Sequence, residues 1–393
     1  MKLLIINNNM KIGGVQKALR NLLRQIHGSY DITLLLLNPV GELMDDIPED
    51  VKVMSPKTAV RFWGTDGQEM KSRRDRLCRS ILAVVARTCG RGISFSLSAI
   101  RQQKLNGYDV VISFLHSGNP RAFYGGCAEF ALHCTEAKKK VIFLHNDFRA
   151  IQAVSAYNRK LYRSFDYIAA CSEGCREAFL AEVPELQNKT IVIPNCHDYE
   201  NIASMAEKIP VRREQDAFYI LTVARFGREK GILRAIRVVA GLVKQFPKVR
   251  YEIAGNGREF EEAKKMIKDL ALEKNVRLLG ELKNPYGRMK EADLLLIPSF
   301  AEAAPLVIGE AASLGTPVLS TKTSSSEEMI ESTGYGWVCE NSEEGIRNGL
   351  LAILKHPSLI REKKTELLNR KFTDRKAVQR FSDLMTACKK EGI

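Results

Sequence analysis

The chain has 393 residues, 45% of them hydrophobic, which is enough apolar material for two domains with a core in each. Sixty Lys and Arg against 46 Asp and Glu give a formal charge of +14, a bias toward anionic partners: nucleotides, nucleic acid or an acidic membrane surface. Nine cysteines without a CxxC pair exclude a disulfide framework or a cysteine zinc site, and no apolar run approaches the roughly 20 residues that span a bilayer. Asn7, Asn8 and Asn9 end the short apolar run from Leu3 before a signal-peptide core forms, so the expected protein is cytoplasmic, soluble or peripheral on a membrane.

Met1 to Asn7 predicts a buried strand, followed by a loop carrying Gly13 and Gly14 and an amphipathic helix, VQKALRNLLRQI. Adjacent glycines let a backbone approach a ligand closely, but the spacing is not GxGxxG, and a tight turn explains them equally well. Asp31 to Leu37 is the next strand, with Val51 to Met54 after an acidic connection. From Lys57 to Lys104 eleven Lys or Arg face three acids, interleaved with Phe62, Trp63, Ile81, Leu82, Val84, Val85 and Phe95. Such a segment (57–104) suits an anionic membrane surface, at about 1 kcal/mol per basic residue near it. A solvated helix pair is the other reading.

Tyr108 to Phe114 and Lys140 to Leu144 are two further buried strands. His145, Asn146 and Asp147 follow the second, at the carboxyl end that faces the crevice of an open α/β sheet, where His145 would orient a substrate hydroxyl or share a proton. Asp166 to Ala170 leads to Cys171 and Ser172, and Thr190 to Ile193 leads to Pro194 and Asn195. Cys171 and Cys175 read as packing residues. Tyr199 to Gln215, polar, with Pro210 and the pair Arg212 and Arg213, reads as a linker. Beyond it strands and helices alternate again through FYILTVARF, a helix from about Gly231 to Phe246, VRYEIAG, a charged helix from Glu259 to Leu272, VRLLGEL and Tyr286 to Glu291, building a second parallel sheet. The tail, Ser342 to Lys390, is expected to be helical with breaks at Pro357 and near Thr373.

Between Asp293 and Thr321 the pattern is a buried strand, an acidic loop, a helix and a second buried strand. Pro305 suits a first helical residue and Gly315 followed by Pro317 a helix stop, so the helix runs for roughly ten residues. Its amino end offers unpaired N–H groups and a positive dipole, the usual place for a phosphate. Glu302 precedes it and Glu310 lies within it.

On these residues the second half resembles the nucleotide-sugar domain of retaining glycosyltransferases of family four with the GT-B fold, the group that includes bacterial capsule and exopolysaccharide enzymes. The matching pieces are Arg225 and Lys230 in VARFGREKG, Gly255 and Gly257 in IAGNG, Gly280 with the NPY of Pro285 and Tyr286, and Glu302 and Glu310 as E-x7-E. Gly13, Gly14, the His145 strand end, Ser172 and Asn195 also fit, so the resemblance covers nearly the whole chain. It implies an α/β architecture of two Rossmann-like parallel-sheet domains facing a central cleft. An acceptor-binding domain would span 1–198, a nucleotide-sugar domain 214–371, and a last helix, 372–393, would return to the first.

The resemblance also implies roles. Arg225 and Lys230 would stabilise the leaving diphosphate, the N–H groups near Leu306 and Val307 would hold its distal phosphate, and Glu310 would take the ribose hydroxyls. Glu302 would face the sugar, with Ala304 and Pro305 beside it; Gly14, Asn195, Gly255, Gly257, Pro285 and Tyr286 complete the donor contacts, and Gly13, Gly14 and His145 meet the acceptor. Glu302, His145, Arg225 and Lys230 would carry the chemistry, with no cofactor and no metal. The implied activity moves a sugar from a nucleotide donor, a UDP-sugar by preference, to a glycan or lipid-linked acceptor in surface polysaccharide synthesis. A degenerate partner subunit and a nucleotide-sugar epimerase are the alternatives. No nucleic-acid module is found, so no nucleic acid is expected as a partner. The family usually has Glu-Gly after the first glutamate position, whereas Ala303 and Ala304 follow Glu302 here, and Ala224 replaces a common glycine.

Overall fold

The computed structural model describes residues 1–65, 67, 70, 72–208 and 213–390. The chain divides into two compact units, Met1–Cys196 with Arg375–Ile393, and His197–Asp374. In the first, the short apolar runs become β1 (Lys2–Asn7), β2 (Asp31–Leu36), β3 (Lys52–Met54), β4 (Leu105–Ser113), β5 (Thr135–Leu144), β6 (Tyr167–Ala170) and β7 (Thr190–Val192). They pair in the order β3-β2-β1-β4-β5-β6-β7, every pairing parallel. Leu3 to Ile6 are fully buried, as a parallel strand covered on both faces requires.

The second unit repeats the plan. β8 (Phe218–Val223), β9 (Val249–Ala254), β10 (Val276–Gly280), β11 (Leu294–Ile297), β12 (Val318–Thr321) and β13 (Gly336–Cys339) form a parallel sheet of order β10-β9-β8-β11-β12-β13. In both sheets the strand order reverses after the first strand of the unit, between β1 and β4 and between β8 and β11. Connections leave in opposite directions there and open a crevice at the strands' carboxyl ends, where ligands of doubly wound folds bind.

Three helices of the first unit matter below. α1 (Gly14–Ile26) follows the glycine pair. α2 (Arg73–Cys89) starts at Ser72, whose hydroxyl accepts the Asp75 N–H, and ends at Gly90, whose φ of +92° breaks the chain away into α3 (Arg91–Ala99). Arg91, buried, pins this hairpin: its guanidinium meets Glu129 at 2.5 Å and lies 5.3 Å from the Trp63 ring. The last helix, Arg375–Lys390, also belongs to the first unit, with Phe381 edge-on to Tyr30 at 6.0 Å.

Two expectations are corrected. The stretch read as a linker from Tyr199 is a helix, Tyr199–Glu207, counted within the second unit. Its Ile202, Met205 and Ala206 share one face at helical spacing and join the apolar cluster of Tyr286, Met289 and Ile308, a signal masked by the polar residues between them. Pro210 and Arg212 of that stretch lie outside the described residues. The helix after Glu302 is shorter than expected, Leu306–Ser313, and Pro305 precedes it with extended backbone (ψ 119°). The tail breaks at His356, where Pro357 opens a new helix, and between Leu368 and Arg375.

Candidate active site

Lys230 ends a short turn, Arg228–Lys230, after β8. The turn closes on Gly231 at φ +64°, where a Cβ would stand 2.0 Å from the carbonyl oxygen of Pro298. Only glycine lets this turn lie flush against the end of β11. The close approach delivers Lys230 to Glu302: Nζ and Oε1 are 2.7 Å apart, their side chains 23% and 11% exposed. Ser299 Oγ donates to the same Oε1 at 2.6 Å, and Ser324 Oγ, beyond β12, donates to the Glu302 carbonyl at 2.7 Å. Glu302 is thus held by three elements. Arg225 is 75% exposed and pairs with Glu229 at 2.8 Å. Burial alone would raise the Glu229 carboxyl, but its backbone hydrogen bond and Arg225 outweigh that and hold it below the usual carboxylate range.

Glu302 leads into the Leu306–Ser313 helix, whose first turn has no side-chain cap. The leading N–H groups of such a helix have no intrahelical acceptor. Ala303 is buried, so its methyl group packs inward. Glu310, one turn further, is buried and accepts the Tyr286 hydroxyl at 3.3 Å. Tyr286 is placed by Asn284, whose Oδ1 accepts the Tyr286 N–H at 3.1 Å while its Nδ2 donates to Met205 O at 2.7 Å. The NPY triplet therefore positions the tyrosine that holds the glutamate, with Pro285 as the residue before its helix. On the Leu306–Ser313 helix Gly309 also lies against the His197 ring: a Cβ there would be 2.5 Å from Nε2.

Gly255 and Gly257 have φ of +140° and +152°, and Cβ atoms there would fall 1.9 Å from Ala224 O and 2.6 Å from Phe226 O. These glycines let the loop after β9 run against the loop after β8, bonded through Phe226 N–H to Asn256 O at 2.9 Å. The contact of backbone with backbone accounts for both of them and holds Arg225 between.

In the first unit the polar residues also gather at carboxyl strand ends. Gly13 precedes α1 in extended conformation without a side-chain cap, and a Cβ on Gly14 would meet nothing within 4 Å. Beneath the loop, Asn8 Oδ1 accepts from the Asn9 N–H and from Gln16 Nε2, and Asn8 Nδ2 donates to the Tyr124 hydroxyl. Asn21 Nδ2, on α1, donates to Cys196 O at 2.8 Å, so α1 and the loop of Asn195 are tied together. Asn195 follows β7 and is half-buried.

His145 follows β5 with its ring 4.6 Å from Phe114 and 5.8 Å from Phe143. Beside it is a residue the sequence reading passed over, His116, three places beyond β4, its Nε2 3.1 Å from Asn146 Nδ2. The signal was present: a buried strand running into a polar turn, as at His145. Burial lowers the His116 pKa to about 4, helped by the Arg91 charge. Burial and then His116 lower His145 to about 3. Both imidazoles are neutral near pH 7, which suits His145 to hydrogen-bonding a hydroxyl and not to holding a proton. Among the described residues no three His, Cys, Asp or Glu cluster as a metal site, and no helix is long and apolar enough to cross a membrane.

Two all-parallel sheets of doubly wound order define the double-Rossmann class of α/β proteins. Within it the chain belongs to the glycosyltransferases: the Glycosyltransferase Family 4 model matches residues 12–201 and the Glycosyl transferases group 1 model residues 204–370. Solved GT-B structures share the fold. Anabaena HepE in complex with UDP-glucose superposes with a TM-score of 0.70 at 17% identity, over 98% of this chain and 100% of that one. S. aureus TarM with UDP and α-GlcNAc-glycerol gives 0.70 at 13%, over 98% and 99%. Among curated relatives, the Schizosaccharomyces pombe phosphatidylinositol N-acetylglucosaminyltransferase gpi3 subunit is 29% identical over 56% of this chain. The Erwinia amylovora amylovoran biosynthesis glycosyltransferase AmsK is 35% identical over 34% of it. The chain spans half or less of these relatives' own length, 49% and 34%.

Proposed function

We propose that this glycosyltransferase moves a sugar from a UDP-sugar donor to a glycan or lipid-linked acceptor of a surface polysaccharide, with retention of anomeric configuration and without a metal, in the cytoplasm at the inner face of the membrane. The observation that carries the reading is the Lys230–Glu302 pair at the uncapped start of the Leu306–Ser313 helix, with buried Glu310 one turn on. As the bond to the diphosphate breaks, negative charge develops on the leaving oxygen. The Lys230 ammonium, held by Glu302, and the N–H groups near Leu306 and Val307 are in place before that charge appears, which is the condition for efficient electrostatic stabilisation, and the exposed Arg225 is free to turn toward it. Glu310, oriented by Tyr286, is suited to the ribose hydroxyls, because a carboxylate accepts two hydrogen bonds. In this reading Glu302 would face the sugar, where its charge would favour an oxocarbenium-like state. Neutral His145 is suited to an acceptor or donor hydroxyl. A UDP donor is supported by the complexes of HepE and TarM, and a polysaccharide product by the name of AmsK.

The test is a melting-temperature panel with UDP, GDP, ADP and their sugars, followed by product analysis. UDP and one UDP-sugar are expected to raise the melting temperature in the wild type and not in Lys230→Ala. Transfer unchanged in both Glu302→Ala and Lys230→Ala overturns the assignment.

A further inference from the structure

The helix hairpin of the basic segment turns an apolar stripe outward. At about 100° per residue, Leu77, Ile81 and Val84 of α2 fall within about 60° of one another, on the side opposite the buried Leu82 and Ala86, of which Leu82 packs with Phe62 and Met70. Arg73, Arg74 and Arg87 flank that stripe and are exposed. α3 does the same: Arg91, Ser94, Phe95 and Ser98 face inward, while Ile93, Leu97 and the following Ile100 face out. These six apolar side chains are 48 to 75% exposed, against a chain whose other large hydrophobics are mostly buried. The exposure is not a failure of packing, because the inner faces are tightly held: Ser94 Oγ bonds Leu82 O at 2.7 Å and Trp63 Nε1 bonds Ser98 at 3.1 Å.

We propose that the outer face of α2 and α3 docks on an anionic lipid surface, the hairpin lying flat in the headgroup region. An apolar stripe bordered by arginines on a helix too polar to insert is the pattern of an interfacial helix. Charge decides the occupant. A second copy would bring arginine rows against arginine rows, whereas anionic headgroups are complementary to them, each basic residue near the surface strengthening partition by about fivefold. The inference deepens the function proposed above and rests on it only for the lipid-linked acceptor; the surface itself does not depend on the donor site.

Vesicle flotation of the full chain tests it. Vesicles with about 30% phosphatidylglycerol are expected to carry the protein, and pure phosphatidylcholine vesicles at least about tenfold less. The triple variant Leu77→Gln/Ile81→Gln/Val84→Gln, all exposed positions, should lose at least about tenfold in binding with its melting temperature unchanged. Arg73→Ala/Arg74→Ala/Arg87→Ala should lose as much and flatten the salt dependence. The proposal is overturned if wild type does not float, if it floats equally on neutral vesicles, if the glutamine variant floats like wild type, or if sedimentation shows a wild-type dimer that this variant dissociates. UDP-induced melting shifts in the same variant keep the two readings apart: lost flotation with a retained shift bears only on the lipid surface, and a missing wild-type shift only on the donor.

Discussion

Replacing Gly255 by alanine separates a structural glycine from a ligand-binding one. The added Cβ would lie 1.9 Å from the carbonyl oxygen of Ala224, at a φ of +140°. A carbon and a carbonyl oxygen need about 3.2 Å, so the loops after β8 and β9 must part by more than about 1 Å, which breaks their mutual hydrogen bonds. The positive φ alone costs about 1–3 kcal/mol for a residue with a side chain, and overpacking against immovable backbone adds about 1–3 more. Gly255→Ala is therefore expected to lose about 3 kcal/mol or more, read as a lower denaturation midpoint by circular dichroism with no nucleotide present. Gly14→Ala is the control. Its Cβ meets open space at the first position of α1, so stability should hold or rise by a few tenths of a kcal/mol, while transfer falls if a ligand approaches that backbone. A Gly255→Ala protein as stable as wild type that loses only donor affinity would refute the packing argument.

Glu302→Gln should leave the fold intact, costing about 1–3 kcal/mol for a largely buried ion pair whose amide replacement keeps a hydrogen-bond acceptor, and should lower kcat by about 100-fold or more in a steady-state transfer assay. Acid should destabilise the first unit early. Between pH 6.5 and about 4 the unfolded chain takes up a proton at His116 that the folded chain refuses, so on the order of 3 kcal/mol drains away over that window as pH falls. A urea series should show this slope in wild type and a shallower one in His116→Asn. Gly309→Ala should cost about 1–3 kcal/mol, because the new methyl group would stand 2.5 Å from a His197 ring that is stacked on Tyr199. His197→Ala should recover most of that loss in a thermal melt of the double variant.

Much of the fold was readable because parallel strands buried on both faces are short continuous apolar runs, as Leu3 to Ile6 and Leu294 to Ile297 are. E-x7-E, NPY and the Arg225-Lys230 pair were readable as patterns because each is local in the sequence. What they do to one another was not. Nothing in the order of residues shows that Lys230 and Glu302 form one ion pair, since Gly231 against Pro298, a contact across 67 positions, brings them together. That Gly255 and Gly257 lie against the carbonyls of Ala224 and Phe226 was not legible either, because a close neighbour of any kind demands glycine and the sequence does not say which neighbour it is. The helix Tyr199–Glu207 falls inside the stretch from Tyr199 to Gln215 that reads as a linker, because its apolar residues Ile202, Met205 and Ala206 are interleaved with polar ones and only the packed face reveals them. His116 was overlooked because the pairing that makes it notable comes from Asn146 on a different strand end.

The Asp374 carboxylate receives the N–H groups of His197 and Asp198 at 2.9 and 3.0 Å, so the first and last residues of the second unit are fastened to each other. That unit is thereby a closed loop of sequence inserted into another, and this sets an order of assembly. On a ribosome the first sheet emerges first but lacks the Arg375–Lys390 helix, with Phe381 for Tyr30, until the whole second unit has been made. The second unit, by contrast, is continuous and has every strand as soon as Asp374 appears. The unit synthesised first is the one completed last, and a nascent chain halted before residue 375 should hold a finished second unit and a first unit that has its whole sheet but not its last helix.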